Sequence, residues 1–146
     1  MTGLDIELPP TPCFVVDLQR LRDNLAILNR VIQRSGARIL LAQKAFSMYS
    51  VYPLLRTVLH GVCASSPHEA RLGREEFGRE VHSFAAAYSE ADLREILALS
   101  DHVVFNSFTQ WQRFQNLCRA AADRVTYGLR VNPEHSEAVA EIYSPC

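Results

Sequence analysis

Apolar strand-like runs alternate with helix-patterned stretches along most of this chain, at a spacing of roughly 20 residues. Ile39 to Ala42, Val62 to Ser65, Glu80 to Ala85, His102 to Phe105 and Arg124 to Val131 read as strands. The first is bounded by Ser35-Gly36 and is continuously apolar, as a fully buried parallel strand is. Such alternation argues for parallel strands joined by right-handed crossovers. A doubly wound sheet and a (β/α)8 barrel share this local pattern, and periodicity does not separate them.

The intervening stretches carry helix signals. Leu18, Leu21, Leu25, Leu28 and Ile32 recur at helical steps behind an Asp17 N-cap, predicting a helix to about Arg34 that Gly36 ends. Ser50 is read as the next cap, with Pro53 in the first turn, Leu54, Leu55, Val58 and Leu59 as the buried face and Gly61 as the stop. Ser66-Pro67-His68-Glu69 and Ser107-Phe108-Thr109-Gln110 have the form of capping boxes. The first opens a helix running to Gly78, and Ser89 opens one whose face is Leu93, Ile96, Leu97 and Leu99. Trp111, Phe114, Leu117 and Cys118 follow at helical spacing and read as core. Residues 1–10 read as an extended lead-in, Cys13 to Val16 as one further short strand, and Glu134 to Cys146 as loop with a helical turn around Ala138 to Ala140.

Lys44 stands at the carboxyl end of the Ile39–Ala42 strand, followed at once by Ala45 and Phe46. Parallel α/β folds gather their chemistry at that end of their strands. Desolvation there favours a neutral amine, which can attack an aldehyde; a solvated lysine where a strand reaches water is the competing explanation. Arg130, between Leu129 and Val131 in the fifth strand, needs an anionic or hydrogen-bonding partner, from a ligand or from a neighbouring strand. Ser65 and Asn106 sit where the second and fourth strands end, beside caps and turns that account for Ser66, Glu69 and Asn106 equally well.

Hydrophobic residues make up 48% of the chain, enough for a real core, and the formal net charge of −1 gives no electrostatic case for nucleic acid or an anionic membrane. No apolar run approaches the roughly 18 residues a membrane span needs. The amino terminus lacks an apolar leader segment, so a cytoplasmic home is expected. The four cysteines (Cys13, Cys63, Cys118, Cys146) fall outside metal-ligand spacings and read as reduced, buried thiols. The five histidines are scattered, so no metal site is expected.

Several segments together resemble a known family. They are Thr11-Pro12-Cys13-Phe14-Val15-Val16-Asp17, Leu40-Leu41-Ala42-Gln43-Lys44-Ala45-Phe46, Ala64 to Gly73, Phe105-Asn106-Ser107 and Gly128-Leu129-Arg130-Val131-Asn132-Pro133. The chain resembles the fold-type III pyridoxal-phosphate decarboxylases, within them most the carboxynorspermidine/carboxyspermidine decarboxylases. Ser50-Val51-Tyr52-Pro53-Leu54 and Ile142-Tyr143-Ser144-Pro145-Cys146 are the more specific parts of the likeness. It runs from about Pro10 to the last residue, and family members are much longer.

The resemblance implies a barrel rather than a doubly wound sheet, with residues 11–146 an incomplete pyridoxal-phosphate-binding barrel holding about five of eight strands. It implies that the Cys13–Val16 strand joins a β domain otherwise absent. It implies decarboxylation of carboxynorspermidine or carboxyspermidine to norspermidine or spermidine, through a Schiff base on Lys44, in a protein that is a homodimer when complete. Lys44, Arg130, Ser65 and Asn106 are then the cofactor-binding candidates, with Lys44 catalytic. The phosphate loop, the acidic partner of the pyridine nitrogen and the residues donated across the dimer lie further along in the family, so this chain alone is expected to have little activity. Where ornithine-type relatives end the second strand with aspartate, this chain has Val62, which removes a candidate polar contact. Diaminopimelate decarboxylase, an amino-acid racemase and a non-catalytic pyridoxal-phosphate-binding barrel of the cofactor-homeostasis kind are the alternatives.

Overall fold

The computed structural model describes residues 10–137, 139 and 140. Helix α1 (Leu18–Ser35) starts at Asp17, whose carboxylate accepts the Gln19 and Arg20 amides, and ends at Gly36 in the left-handed conformation. Strand β1 (Leu40–Ala42), the short helix α2 (Tyr52–Leu55), β2 (Gly61–Ala64), α3 (Pro67–Leu72), β3 (Glu80–Phe84), α4 (Glu90–Leu99), β4 (His102–Phe105), α5 (Phe108–Arg119) and β5 (Thr126–Leu129) follow. All neighbouring strands pair in parallel, in the order β1-β2-β3-β4-β5.

That order resolves the ambiguity left by periodicity. A doubly wound sheet reverses strand order at a switch point and carries helices on both faces. Here the order never reverses, and side-chain parity puts the helices on one face. Val62, Ala64, Val81, Ser83, Val103 and Phe105 are buried, whereas Cys63, Phe84, Thr126 and Gly128, of opposite parity, are exposed. This arrangement is that of a section of a barrel, with the helix layer on one face of the sheet and the other face open. Phe105 centres the core, with edge-on contacts to Tyr88 at 5.7 Å and Trp111 at 5.4 Å. Phe114 and Cys118 are buried beside it, as the α5 stripe predicts.

Several expectations are corrected. Cys13–Val16 is irregular rather than a strand, with Phe14 and Val15 exposed; no strand lies beside it to pair with among the described residues. Ser50 does not cap α2. It lies inside a 3₁₀ turn (Tyr49–Val51), and the helix that follows has no side-chain cap. Gly61 is no helix stop but the first residue of β2, where a Cβ would stand 2.2 Å from the Glu80 carbonyl oxygen. The helix after Ser66 does end at Gly78 as expected, its last turn being π-helical and closed by the Gly78 amide on the Gly73 carbonyl at 3.0 Å. The fifth strand is shorter than predicted, leaving Arg130 just beyond it. Cys13 and Cys63 are exposed, not buried. The expected turn at Ala138 and the Ile142–Cys146 segment include residues outside those described.

Candidate active site

Lys44 follows β1 in a tight turn. The Gln43 amide still joins the sheet, donating to the Cys63 carbonyl at 3.2 Å, and the Ala45 and Phe46 amides then fold back onto the Ala42 carbonyl. Gln43 and Lys44 consequently part company. Gln43 is buried, its Nε2 donating to the Tyr52 hydroxyl at 3.2 Å, while its Oε1 has no hydrogen-bond partner among the described residues. Lys44 is exposed, so the desolvation expected from its apolar neighbours is missing: no described residue covers the open face above it. Its ammonium reaches Cys63 electrostatically and offsets part of the desolvation that raises that thiol's pKa. Burial also raises the Tyr52 pKa, partly offset by the Gln43 hydrogen bond.

The exits of β2 and β4 are built alike. After β2, the Ser66 hydroxyl accepts the Glu69 amide at 3.2 Å and the Glu69 carboxylate accepts the Ser65 amide at 2.7 Å. After β4, the Ser107 hydroxyl accepts the Gln110 amide at 3.2 Å and the Gln110 side-chain oxygen accepts the Asn106 amide at 2.8 Å. In both, the returning side chain binds the residue before the cap rather than the cap itself. Ser65 and Asn106 are thereby fixed at equivalent places, each one residue past its strand.

Arg130 holds the matching place after β5. Its amide donates to the Phe105 carbonyl at 2.8 Å and its Nη1 to Asn106 Oδ1 at 3.1 Å. Thus the fold joins Asn106 to Arg130 directly and keeps both exposed or half-buried. Lys44 and Ser65 stand on β1 and β2, across β3 from that pair. All four have the parity of the open face, two residues beyond Ala42, Cys63, Val104 and Gly128 respectively. Val62, by contrast, is fully buried on the helix side, next to Gly73, so the aspartate-to-valine difference does not alter the open face. Sequence reasoning missed Gln43 and Cys63: an apolar run ending in a lone glutamine was the available signal for the first, strand parity for the second.

A parallel sheet of this order, with helices on one side and a lysine, an arginine and an amide at the carboxyl edge of the other, has the form of part of an α/β barrel. No protein-family model matches the chain. Among curated proteins it is 44% identical over 137 residues to the carboxyaminopropylagmatine decarboxylase of Synechocystis sp., covering 94% of this chain and 35% of that protein. It is 36% identical over 135 residues to the carboxynorspermidine/carboxyspermidine decarboxylase of Herminiimonas arsenicoxydans, covering 92% of this chain and 36% of that one. The Campylobacter jejuni protein of the same name is 35% identical over 136 residues, 93% of this chain and 35% of its own. Among solved structures, carboxynorspermidine decarboxylase from Campylobacter jejuni, complexed with norspermidine, superimposes with a TM-score of 0.74 at 34% identity, covering 84% of this chain and 32% of that one. The chain is thus homologous over most of its length to decarboxylases of carboxylated polyamines, and it spans about a third of the length of these relatives. These matches favour that reading over the racemase, diaminopimelate decarboxylase and non-catalytic barrel alternatives.

Proposed function

We propose that residues 11–146 form the amino-terminal part of a pyridoxal-phosphate-dependent decarboxylase of polyamine biosynthesis, preceded by a lead-in at residues 1–10. The intact protein acts as a cytoplasmic homodimer. The observation that carries this reading is the position of Lys44, the one lysine of the sequence, at the carboxyl end of β1 in a fold that matches carboxynorspermidine decarboxylase. The donor set at the open edge fits the cofactor: a primary amine for its aldehyde, and the Arg130 guanidinium, steadied by Asn106, for an anionic group. Pyridoxal phosphate, when bound, supplies the electron sink for the carbon that loses carbon dioxide. The chain's own part is to present the Lys44 amine from a turn pinned by buried Gln43 and to fix the Arg130 plane through Asn106. Ser65, whose amide is held by Glu69, presents its hydroxyl at the same edge.

The substrate of the intact protein is carboxynorspermidine or carboxyspermidine, giving norspermidine or spermidine. A second reading, carboxyaminopropylagmatine, is favoured by the 44% identity to a protein of that name, against 35–36% for the other two curated relatives. The test of cofactor chemistry is borohydride reduction of the chain with pyridoxal phosphate, followed by peptide mapping. A reduced pyridoxyl group on Lys44, absent in Lys44→Ala, supports the proposal; modification at the amino terminus alone overturns it for this chain. Carbon dioxide release from each carboxylated amine, measured on the full-length protein that contains this chain, separates the two substrate readings.

A further inference from the structure

Below the level of Lys44, on the same open face, three side chains from two neighbouring strands converge. Glu80 and His82 alternate along β3, and His102 opens β4 as the cross-strand partner of His82. The two imidazoles stack with centroids 4.0 Å apart, and His82 Nε2 lies 3.2 Å from Glu80 Oε2. One donor atom from each of the three side chains lies within 4.8 Å of the other two. All three are half-buried, and this cluster plays no part in the lysine chemistry above.

We propose that Glu80, His82 and His102 bind one divalent transition-metal ion of the zinc type, bracing β3 against β4 at the floor of the open face. Two nitrogen or oxygen ligands at about 2.1 Å from a tetrahedral ion stand about 3.4 Å apart. The Glu80–His82 separation of 3.2 Å is close to that distance, and the His102 donor lies within 4.8 Å of both. The surrounding contacts are those of a metal's outer shell. Thr126 hydrogen-bonds His102 at Nδ1, which leaves Nε2 as the ligating nitrogen. Arg38 occupies the other carboxylate oxygen of Glu80, Oε1, and leaves Oε2 free to ligate. Two imidazoles and a carboxylate suit zinc, cobalt(II) or a related ion, and the remaining position is filled by water. The sequence hid this site because the ligands show no local motif; only the parallel register brings residue 82 beside residue 102.

The test is titration of the tag-free, chelator-treated chain with cobalt(II) chloride, followed visibly and then displaced by zinc chloride. The expected result is one equivalent of cobalt with d–d bands, no thiolate charge-transfer band, and a rise in melting temperature on adding zinc. His82→Asn and His102→Asn each abolish the saturable signal, with far-UV circular dichroism of the metal-free variants reporting their folding. Thr126→Val, an exposed change that leaves the ligands intact, weakens binding by about tenfold or more. Binding that survives in the two histidine variants, a charge-transfer band lost in Cys63→Ser, or no saturable binding by the wild-type chain each overturns the proposal. Should a histidine variant fail to fold, Thr126→Val decides alone: unchanged affinity there rejects the site.

Discussion

On one face of the sheet, Val62, Val81, Val103 and Phe105 are wholly covered by helices; on the other, Cys63, Phe84, Thr126 and Gly128 reach solvent. The two sets alternate residue by residue along the same short strands. Adjacent positions therefore have opposite physical roles. The covered set supplies the burial that stabilises the sheet, and the open set carries Lys44, Arg130, Asn106 and the Glu80–His82–His102 cluster. Reactive side chains on the open side are released from packing, which leaves them free to meet a ligand but gives them little share in stability.

The largest expected effect tests this division directly. Phe105→Ala removes the centre of the Tyr88–Trp111–Tyr127 aromatic cluster and should cost about 3–5 kcal/mol in urea denaturation. Phe84→Ala, one strand away but on the open face and 37% exposed, should cost less than about 1 kcal/mol. Equal losses for the two would break the comparison.

Tyr88 sharpens it at the boundary between the layers. Its hydroxyl donates to the Val104 carbonyl at 3.0 Å and accepts the Ala85 amide at 3.0 Å. Tyr88→Phe leaves both without that partner and should cost about 1–3 kcal/mol. Burial raises the Tyr88 pKa to about 12 from its ordinary 10.0. The unfolded chain thus loses this proton first as pH rises, so the stabilisation is complete below pH 10 and is lost between there and about 12. Burial raises Tyr127 to about 12 as well. Denaturation followed from pH 9 to 12 should therefore fall steeply for the wild type and less steeply for Tyr88→Phe, with the double phenylalanine variant flatter still. Parallel profiles for all three would remove burial of these phenols as the cause.

Much of this architecture was legible in the chain because its signals are local. Asp17, Ser66, Ser89 and Ser107 all cap as their sequence contexts indicate, and the five inner strands fall where their apolar runs lie. Two of the misreadings share a cause: they concern residues whose roles depend on distant neighbours. Gly61 looked like a helix stop because the Glu80 carbonyl that excludes a side chain there is 19 residues away. Cys13–Val16 has strand composition without a strand to join, and composition does not supply pairing. Of the candidate site, the positions were legible from strand ends. The Asn106–Arg130 contact, the burial of Gln43 and the exposure of Lys44 were not, since all arise from how the strands are set side by side.

A smaller effect is expected where the two faces meet at a strand exit. Ser107→Ala deletes the acceptor for the Gln110 amide and should cost about 1 kcal/mol. Ser65→Ala, whose hydroxyl has no hydrogen bond among the described residues, should change stability by less than about 0.5 kcal/mol. The two serines occupy similar turns, so a cost for Ser65→Ala equal to that of Ser107→Ala would mean that the open-edge hydroxyl has a structural partner.

Lys44→Ala is expected to have the smallest effect on stability and the largest on chemistry. The side chain is exposed, and the turn that carries it is held by the Gln43, Ala45 and Phe46 amides rather than by the amine. Its loss should shift the unfolding free energy by less than about 0.5 kcal/mol. The reduced pyridoxyl adduct should disappear completely, while Arg130→Lys, which breaks the Asn106 geometry without removing charge, should lower its yield and leave stability unchanged. A Lys44→Ala variant that melts early would mean that the open face contributes to the fold after all, and the separation of stability from chemistry by strand parity would fail at the residue where it matters most.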